Sequence, residues 1–240
     1  MARRLFFVDE VRLGRARIEG DLAHHLTRVL RVAPGQVYEL SDNHRLYLAE
    51  VESARKNEVS FTILESLPEP RPRAEVHLYA ALIHFDRFEW IVEKATELGA
   101  ASIRPLIAER SEKGLERAAE KRIDRWRRIA REASEQSRRP RLPEILPPVR
   151  EPSADSPLPL LLDESPGAPP ILPVLAASLP SAASTALLLG PEGGWTEAER
   201  SHFTAAGWRP VSLGHGILRA ETAAIAALAI LNAAWVPYHK

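Results

Sequence analysis

The chain contains no cysteine, which excludes disulfides, thiolate nucleophiles and cysteine metal ligands together. Such a chain gains nothing from an oxidising compartment, and a cytoplasmic location is expected. Long apolar runs are missing as well. None approaches the roughly 18 residues of a membrane span, and the longest, Ala223 to Val236, is broken by Asn232 and reads as a buried helix. The N-terminus MARRLFFVDE begins basic and apolar, but Asp9 and Glu10 cut it short of a signal peptide. Asparagine, glutamine and methionine number only three, two and one, a scarcity in keeping with a thermophilic protein. Familiar catalytic signatures are absent too. There is no G-x-x-x-x-G-K-[ST], G-x-G-x-x-G, H-E-x-x-H or G-x-S-x-G, which removes P-loop, dinucleotide-fold, zinc-hydrolase and serine-elbow readings. His24 and His25 are adjacent and face different ways on a helix, so no metal site is expected there.

Net charge is also absent, since 32 basic residues balance 32 acidic ones. The sum argues against a nucleic-acid partner, but the distribution argues for one. Arg117 to Arg141 holds ten Lys/Arg against four Asp/Glu, and residues 1–31 hold seven arginines against four acids. Of the 32 basic residues 27 are arginine, the side chain suited to bidentate phosphate contact and base stacking. A GC-rich coding bias explains the Arg/Lys ratio equally well, but it does not explain clustering. The clusters predict a basic, RNA-facing surface.

What is present reads as two domains. Residues 1–70 look like short strands: Gln36–Leu40, Arg45–Val51 across a Ser41-Asp42-Asn43 turn, and alternating Val59, Phe61 and Ile63. One helix is expected at Asp21–Leu30 with Asp21 as its cap. Together they suggest a small β-barrel. Pro68, Pro70 and Pro72 form a stiff connector. From 73 to 240, strands alternate with helices, the pattern of an α/β fold with a parallel sheet. The predicted strands are Val76–Leu82, Ile103–Ile107, Leu158–Leu162, Thr185–Leu189 and Pro210–Leu213. Asp86 to Glu89 reads as a capping box opening a helix that Gly99 stops, and a second helix carries Ile123, Trp126, Ala130 and Ala133. Most of residues 151–180, with eight prolines, reads as loop.

Two segments carry the chemistry. In LLLGPEGGWTE, Leu187 to Glu197, a buried strand enters a three-glycine loop and then a helix capped by Thr196 with Glu199. In VSLGHGILRAETA, Val211 to Ala223, a strand again ends in glycines before an alanine-rich helix. Glycines at the carboxyl ends of parallel strands let backbone amides approach a ligand. Either loop alone is equally a tight turn with no ligand. Both should lie at one sheet edge, about twenty residues apart, and together they form a cleft with two glycine-rich walls.

These segments resemble the cofactor-binding signature of the RsmE family of SPOUT-class RNA methyltransferases. DRFEWIVEKATELGAASIRPLIAERS and EQSRRPRLPEI resemble its middle motifs, and HHLTRVLRVAPGQVYELSD resembles its N-terminal RNA-binding region. The resemblance covers nearly the whole chain. One departure stands out: His215-Gly216 occupies the place of the family's usual Pro-Arg, and Ala220 that of a frequent Thr. The resemblance implies a PUA-like domain over 1–70 and, over 73–240, a SPOUT domain whose C-terminal part is a trefoil knot. It implies S-adenosylmethionine as cofactor, a homodimer, and 16S rRNA of the small ribosomal subunit as substrate, methylated at a uridine N3. Cofactor contacts are then expected from Leu189, Gly190, Pro191, Glu192, Gly193, Gly194, Leu213, Gly214, Gly216, Ile217, Leu218, Arg219 and Thr222. RNA contacts are expected from Arg4, His25, Arg28, Arg31, Arg138, Arg139 and Arg141.

Methyl transfer from a sulfonium needs positioning and charge management more than covalent help. The weakly acidic N3 proton must leave, so Arg139 or Arg219 is expected to stabilise the uracil anion. Glu192 is a candidate proton acceptor or a holder of its loop. The alternatives are methylation of another RNA nucleotide, or a non-catalytic RNA-binding module.

Overall fold

The computed structural model describes residues 4–68, 74–112, 114–178 and 184–235. The chain forms two compact units, Met1–Arg71 with Arg131–Leu142, and Pro72–Ala130 with Pro143–Lys240. Of the connector prolines, Pro70 and Pro72 lie outside the described residues, as does Val236 of the last predicted helix.

The first unit comprises β1 (Leu5–Phe7), β2 (Arg15–Glu19), α1 (Gly20–Arg28), β3 (Val37–Ser41), β4 (Leu46–Arg55) and β5 (Glu58–Leu67). Its sheet runs in the order β1-β3-β4-β5-β2, with only the β1–β3 pair parallel. No ladder joins the edge strands β1 and β2 among the described residues, so the sheet is an open half-barrel. Alternation builds its core. Ala16 and Ile18 are buried between exposed arginines, and Val59 and Phe61 pack with Phe6, Leu26, Leu40 and Val51.

Two expectations need correction here. Asp21 does not cap α1; the helix follows directly from β2, the amide of Gly20 is taken by the Asn57 carbonyl at 3.1 Å, and Asp21 sits in the first turn. There its charge complements the helix dipole. β4 also runs four residues beyond Val51, because Ser53–Arg55 pair with Glu58–Ser60 across a tight hairpin although they lack apolar alternation. The predicted turn is present: Asp42 Oδ1 accepts from the amides of His44 and Arg45, and Asn43 takes a φ of +66°.

Residues Arg131–Leu142 complete this unit. The Ser41 hydroxyl donates to the Pro140 carbonyl at 2.5 Å, and the Leu142 amide donates to Asn43 Oδ1 at 2.7 Å. The Phe7 amide donates to Glu135 at 3.4 Å.

The second unit continues with β6 (Glu75–Ala81), α2 (Phe85–Glu97), β7 (Ala100–Leu106), α3 (Leu115–Glu120), α4 (Ile123–Ser137), whose residues from Arg131 on belong to the first unit, and β8 (Glu144–Ile145). β9 (Leu158–Leu162), α5 (Ile171–Ser178), β10 (Ser184–Leu189), α6 (Glu197–Ala205), β11 (Arg209–Val211) and α7 (Ala220–Trp235) follow. All six strands are parallel, in the order β11-β9-β10-β6-β7-β8. Every residue of β9 is buried, as is all of β10 after Ser184, which is why both read as unbroken apolar runs.

α2 begins after His84 without a side-chain cap. The capping box expected at Asp86–Glu89 does not form, because the Glu89 carboxylate is drawn to Arg122 at 2.8 Å and Arg125 at 2.6 Å. Those partners hold it well below the usual carboxylate range, with the Arg125 hydrogen bond the largest cause. α5 lies where loop was expected. Ile171 and Leu175 bury one face of it, and Pro173 stands in its first turn, where a missing amide costs little.

Burial raises the Glu135 carboxyl, outweighing its bond from Phe7. A raised folded-state value contributes stability at low pH that is lost as pH climbs through it. Glu135→Gln should therefore be more stable than the parent chain to urea at pH 8, with the gain shrinking toward pH 4. Lower stability at pH 8 would contradict this account of the buried charge.

Candidate active site

β11, β9 and β10 are neighbours in the sheet, and the segments leaving their carboxyl ends wall one cavity that opens to solvent. Asp163 and Glu164 follow β9, Leu189 to Pro191 end β10, Ser212 to Leu218 follow β11, and Ala220 and Ala223 of α7 close the wall. The place is where open parallel sheets bind ligands.

Trp195 fixes the first glycine loop. Its indole is 1% exposed and donates to the Leu162 carbonyl at 2.8 Å. A Cβ at Gly190 would stand 3.0 Å from that ring, so a side chain there would require the indole to shift by a few tenths of an ångström. Gly194 has a φ of +67°, and a Cβ would collide with the Glu164 carboxylate. Next, Thr196 and Glu199 form the predicted capping box: the Glu199 amide donates to Thr196 Oγ1 at 3.2 Å, and the Thr196 amide donates to Glu199 Oε2 at 2.9 Å. Arg110 clamps the loop from β7's side, donating to the Gly193 carbonyl at 2.7 Å. Arg200 donates to Asp163 at 3.0 Å. Burial alone raises the Asp163 carboxyl, but bonds from Ser165 and Arg200 outweigh it and hold it below the usual range.

The predicted cofactor residues fall into three groups. Leu189, Gly190, Pro191, Leu213, Gly214, Gly216, Ile217 and Leu218 line this cavity. Glu192 and Gly193 line a second space, which shares Pro191 with the first. Gly194, Arg219 and Thr222 line neither; Gly194 is buried against Glu164, while Arg219 and Thr222 are exposed. Gly194 is thus favoured chiefly by its positive φ, since the Glu164 carboxylate is the far end of a flexible side chain. Asp163 and Glu164 were missed by sequence reasoning, although LLLDES repeats the form of LLLGPEGG, a buried strand running into polar residues.

The seven predicted RNA-contact residues all belong to the first unit. Arg4, His25, Arg28 and Arg31 are exposed. Arg138 instead grips Glu39 with two bonds of 2.7 and 2.8 Å, and Arg141 donates to the carbonyls of Asn43 and His44 at 3.2 and 2.9 Å. Both tie their segment to the β3–β4 region. Burial pushes the Arg139 guanidinium down to about 10, which leaves it cationic at neutral pH.

Comparison with known proteins fits this geometry. An RNA methyltransferase domain matches residues 69–232, and an RNA methyltransferase PUA domain matches residues 18–64. An RNA methyltransferase domain preceded by a PUA domain is therefore the class. The ribosomal RNA small subunit methyltransferase E of Bacillus subtilis is 33% identical, over 90% of this chain and 88% of the relative. That of Aquifex aeolicus is 33% identical, over 94% and 97%. The crystal structure of the Neisseria gonorrhoeae enzyme of that name, bound to S-adenosyl methionine, superposes with a TM-score of 0.85 at 29% identity, covering 98% of each chain. The chain belongs to the ribosomal RNA small subunit methyltransferase E family, RsmE. Among the described residues no helix is long and apolar enough to cross a membrane.

The two kinds of glycine should separate experimentally. Gly194→Ala forces a Cβ against Glu164 at a positive φ and should cost more than about 1 kcal/mol in urea unfolding. Gly216→Ala meets nothing within 4 Å and should stay within about 0.5 kcal/mol. Equal losses would show that the two positions do not differ in what they require.

Proposed function

We propose that the chain transfers a methyl group from S-adenosylmethionine to N3 of a uridine in 16S rRNA of the small ribosomal subunit, in the cytoplasm. The observation that carries this reading is the single cavity walled by the three loops after β9, β10 and β11. Its residues suit the cofactor. Leu189, Leu213 and Leu218 offer apolar surface to a flat adenine, and Glu164 brings a carboxylate acceptor for hydroxyls or an ammonium. At Gly214 and Gly216 a Cβ would stand in open space, room that a ligand can use. When bound, the cofactor supplies an electrophilic methyl group on a positively charged sulfur.

The protein's own part is to hold, orient and manage charge. Residues 73–240 are the methyltransferase domain, its C-terminal part the trefoil knot, and the all-parallel order supports the SPOUT-type sheet. Residues 1–70 are the RNA-holding domain, to which 131–142 contributes. There Arg4, His25, Arg28 and Arg31 present exposed cationic or polar tips to phosphates. Arg219, next in sequence to the cavity wall at Leu218, and the buried cation Arg139 are the candidates for steadying a uracil anion. The working molecule is a homodimer: Ile217 is 88% exposed and Leu218 41%, apolar side chains at the cavity that a partner surface would cover.

Incubation of the protein with labelled S-adenosylmethionine and small-subunit particles, followed by nucleoside mass spectrometry, should yield 3-methyluridine. Another methylated nucleoside would place the chain on a different base, and no transfer to RNA would make it a binding module. In calorimetry, Gly216→Val should lose at least about tenfold in S-adenosylmethionine affinity, about 1.4 kcal/mol, while keeping its fold. Unchanged affinity would remove the second loop from the site.

A further inference from the structure

Beside the donor cavity lies the second space, of about 670 Å³, walled by His84, Asp86, Arg87, Arg110, Glu112 and Glu192 among others. Pro191 belongs to both walls. A methyl group passes in line from sulfur to the attacking atom, so the acceptor must adjoin the donor. This space adjoins it, and it has room for a flipped-out pyrimidine.

Its polar groups match a uracil. The base offers two carbonyl acceptors flanking one N3–H donor, and the wall offers guanidinium donors and a carboxylate acceptor. Arg110 is anchored: its Nη1 donates to the Gly193 carbonyl, and its aliphatic part lies 3.3 Å from where a Gly193 Cβ would be. Three carboxylates line the space. Asp86 is 3.9 Å from His84 and almost fully exposed, and Glu112 is exposed. Glu192 directly follows the shared Pro191, and Arg87 holds its carboxylate through a charged hydrogen bond across the space. The Asp86-Arg87 segment, which does not cap its helix, finds its use here.

We propose that this space is the uracil subsite, in which Glu192 takes the N3 proton and Arg87 is the residue that positions Glu192. The proton moves from N3 to the Glu192 carboxylate. The N3 electron pair forms the new bond to the methyl carbon, and the carbon–sulfur bond breaks with its pair going to sulfur. The positive sulfonium and negative carboxylate end as a neutral thioether and a carboxylic acid, which returns its proton to water. This inference rests on the function proposed above.

The test uses the full-length protein with small-subunit particles at saturating S-adenosylmethionine. Glu192→Gln should lower kcat by about a hundredfold or more, with KM for the particle and cofactor affinity unchanged. Its residual rate should climb with hydroxide concentration, since N3 must then ionise unaided. Arg87→Ala should lower kcat less, and Arg87→Lys should restore part of it. If the parent chain makes 3-methyluridine but Glu192→Gln turns over normally, or its loss lies wholly in KM or cofactor affinity, the subsite assignment alone falls. Arg87→Ala with parental turnover would overturn the positioning role. A parent product other than 3-methyluridine would overturn the functional reading and this one with it.

Discussion

The indole of Trp195 bonds to the carbonyl of Leu162 at 2.8 Å and spans from the loop after β10 to the end of β9. The ring is fully buried beneath Gly190 and meets Phe203 of α6 edge-on at 5.3 Å. An indole N–H left unpaired in that setting would cost about 1–3 kcal/mol, and loss of the ring would cost more. This one side chain sets the spacing between two cavity walls. It also presses on position 190, where a Cβ would stand 3.0 Å from the ring, so a residue outside the cavity lining shapes the wall.

The parallel sheet supplies the rest. Because β11, β9 and β10 are adjacent, residues far apart in sequence, Glu164, Leu189 and Leu218, are delivered to one edge. Charges then brace the loops instead of filling the cavity: Arg200 on Asp163, Arg110 on Gly193, Arg87 on Glu192. Of these only Arg87–Glu192 is an exposed ion pair, a kind that adds little to stability, whereas Asp163 is buried; all three fix geometry. In the first unit the same economy holds, with Arg138 and Arg141 spent on holding the 131–142 segment to β3 and the following turn.

Much of this was legible in the sequence because local pattern and environment agree. Buried parallel strands read as unbroken leucine runs, so β9 and β10 were placed within a residue, and the Thr196–Glu199 capping box needs only its own four residues. Both glycine loops were found, and most of their residues line the cavity. The misses came from long-range partners. Glu89 had the right spacing to cap α2 but is claimed by arginines 33 and 36 residues away. The ion pair of Arg138 with Glu39, 99 residues earlier, was likewise invisible to local pattern. α5 was hidden by its prolines, although Pro173 sits where a helix tolerates one.

The central claim is that the backbone of the two glycine loops is the methyl-donor site. Amide hydrogen exchange, followed residue by residue with and without S-adenosylmethionine, tests it most directly. The account predicts added protection concentrated at the non-proline amides of residues 189–194 and 213–218, with the first unit unchanged. Protection absent from both loops, or gathered in the first unit instead, would contradict it.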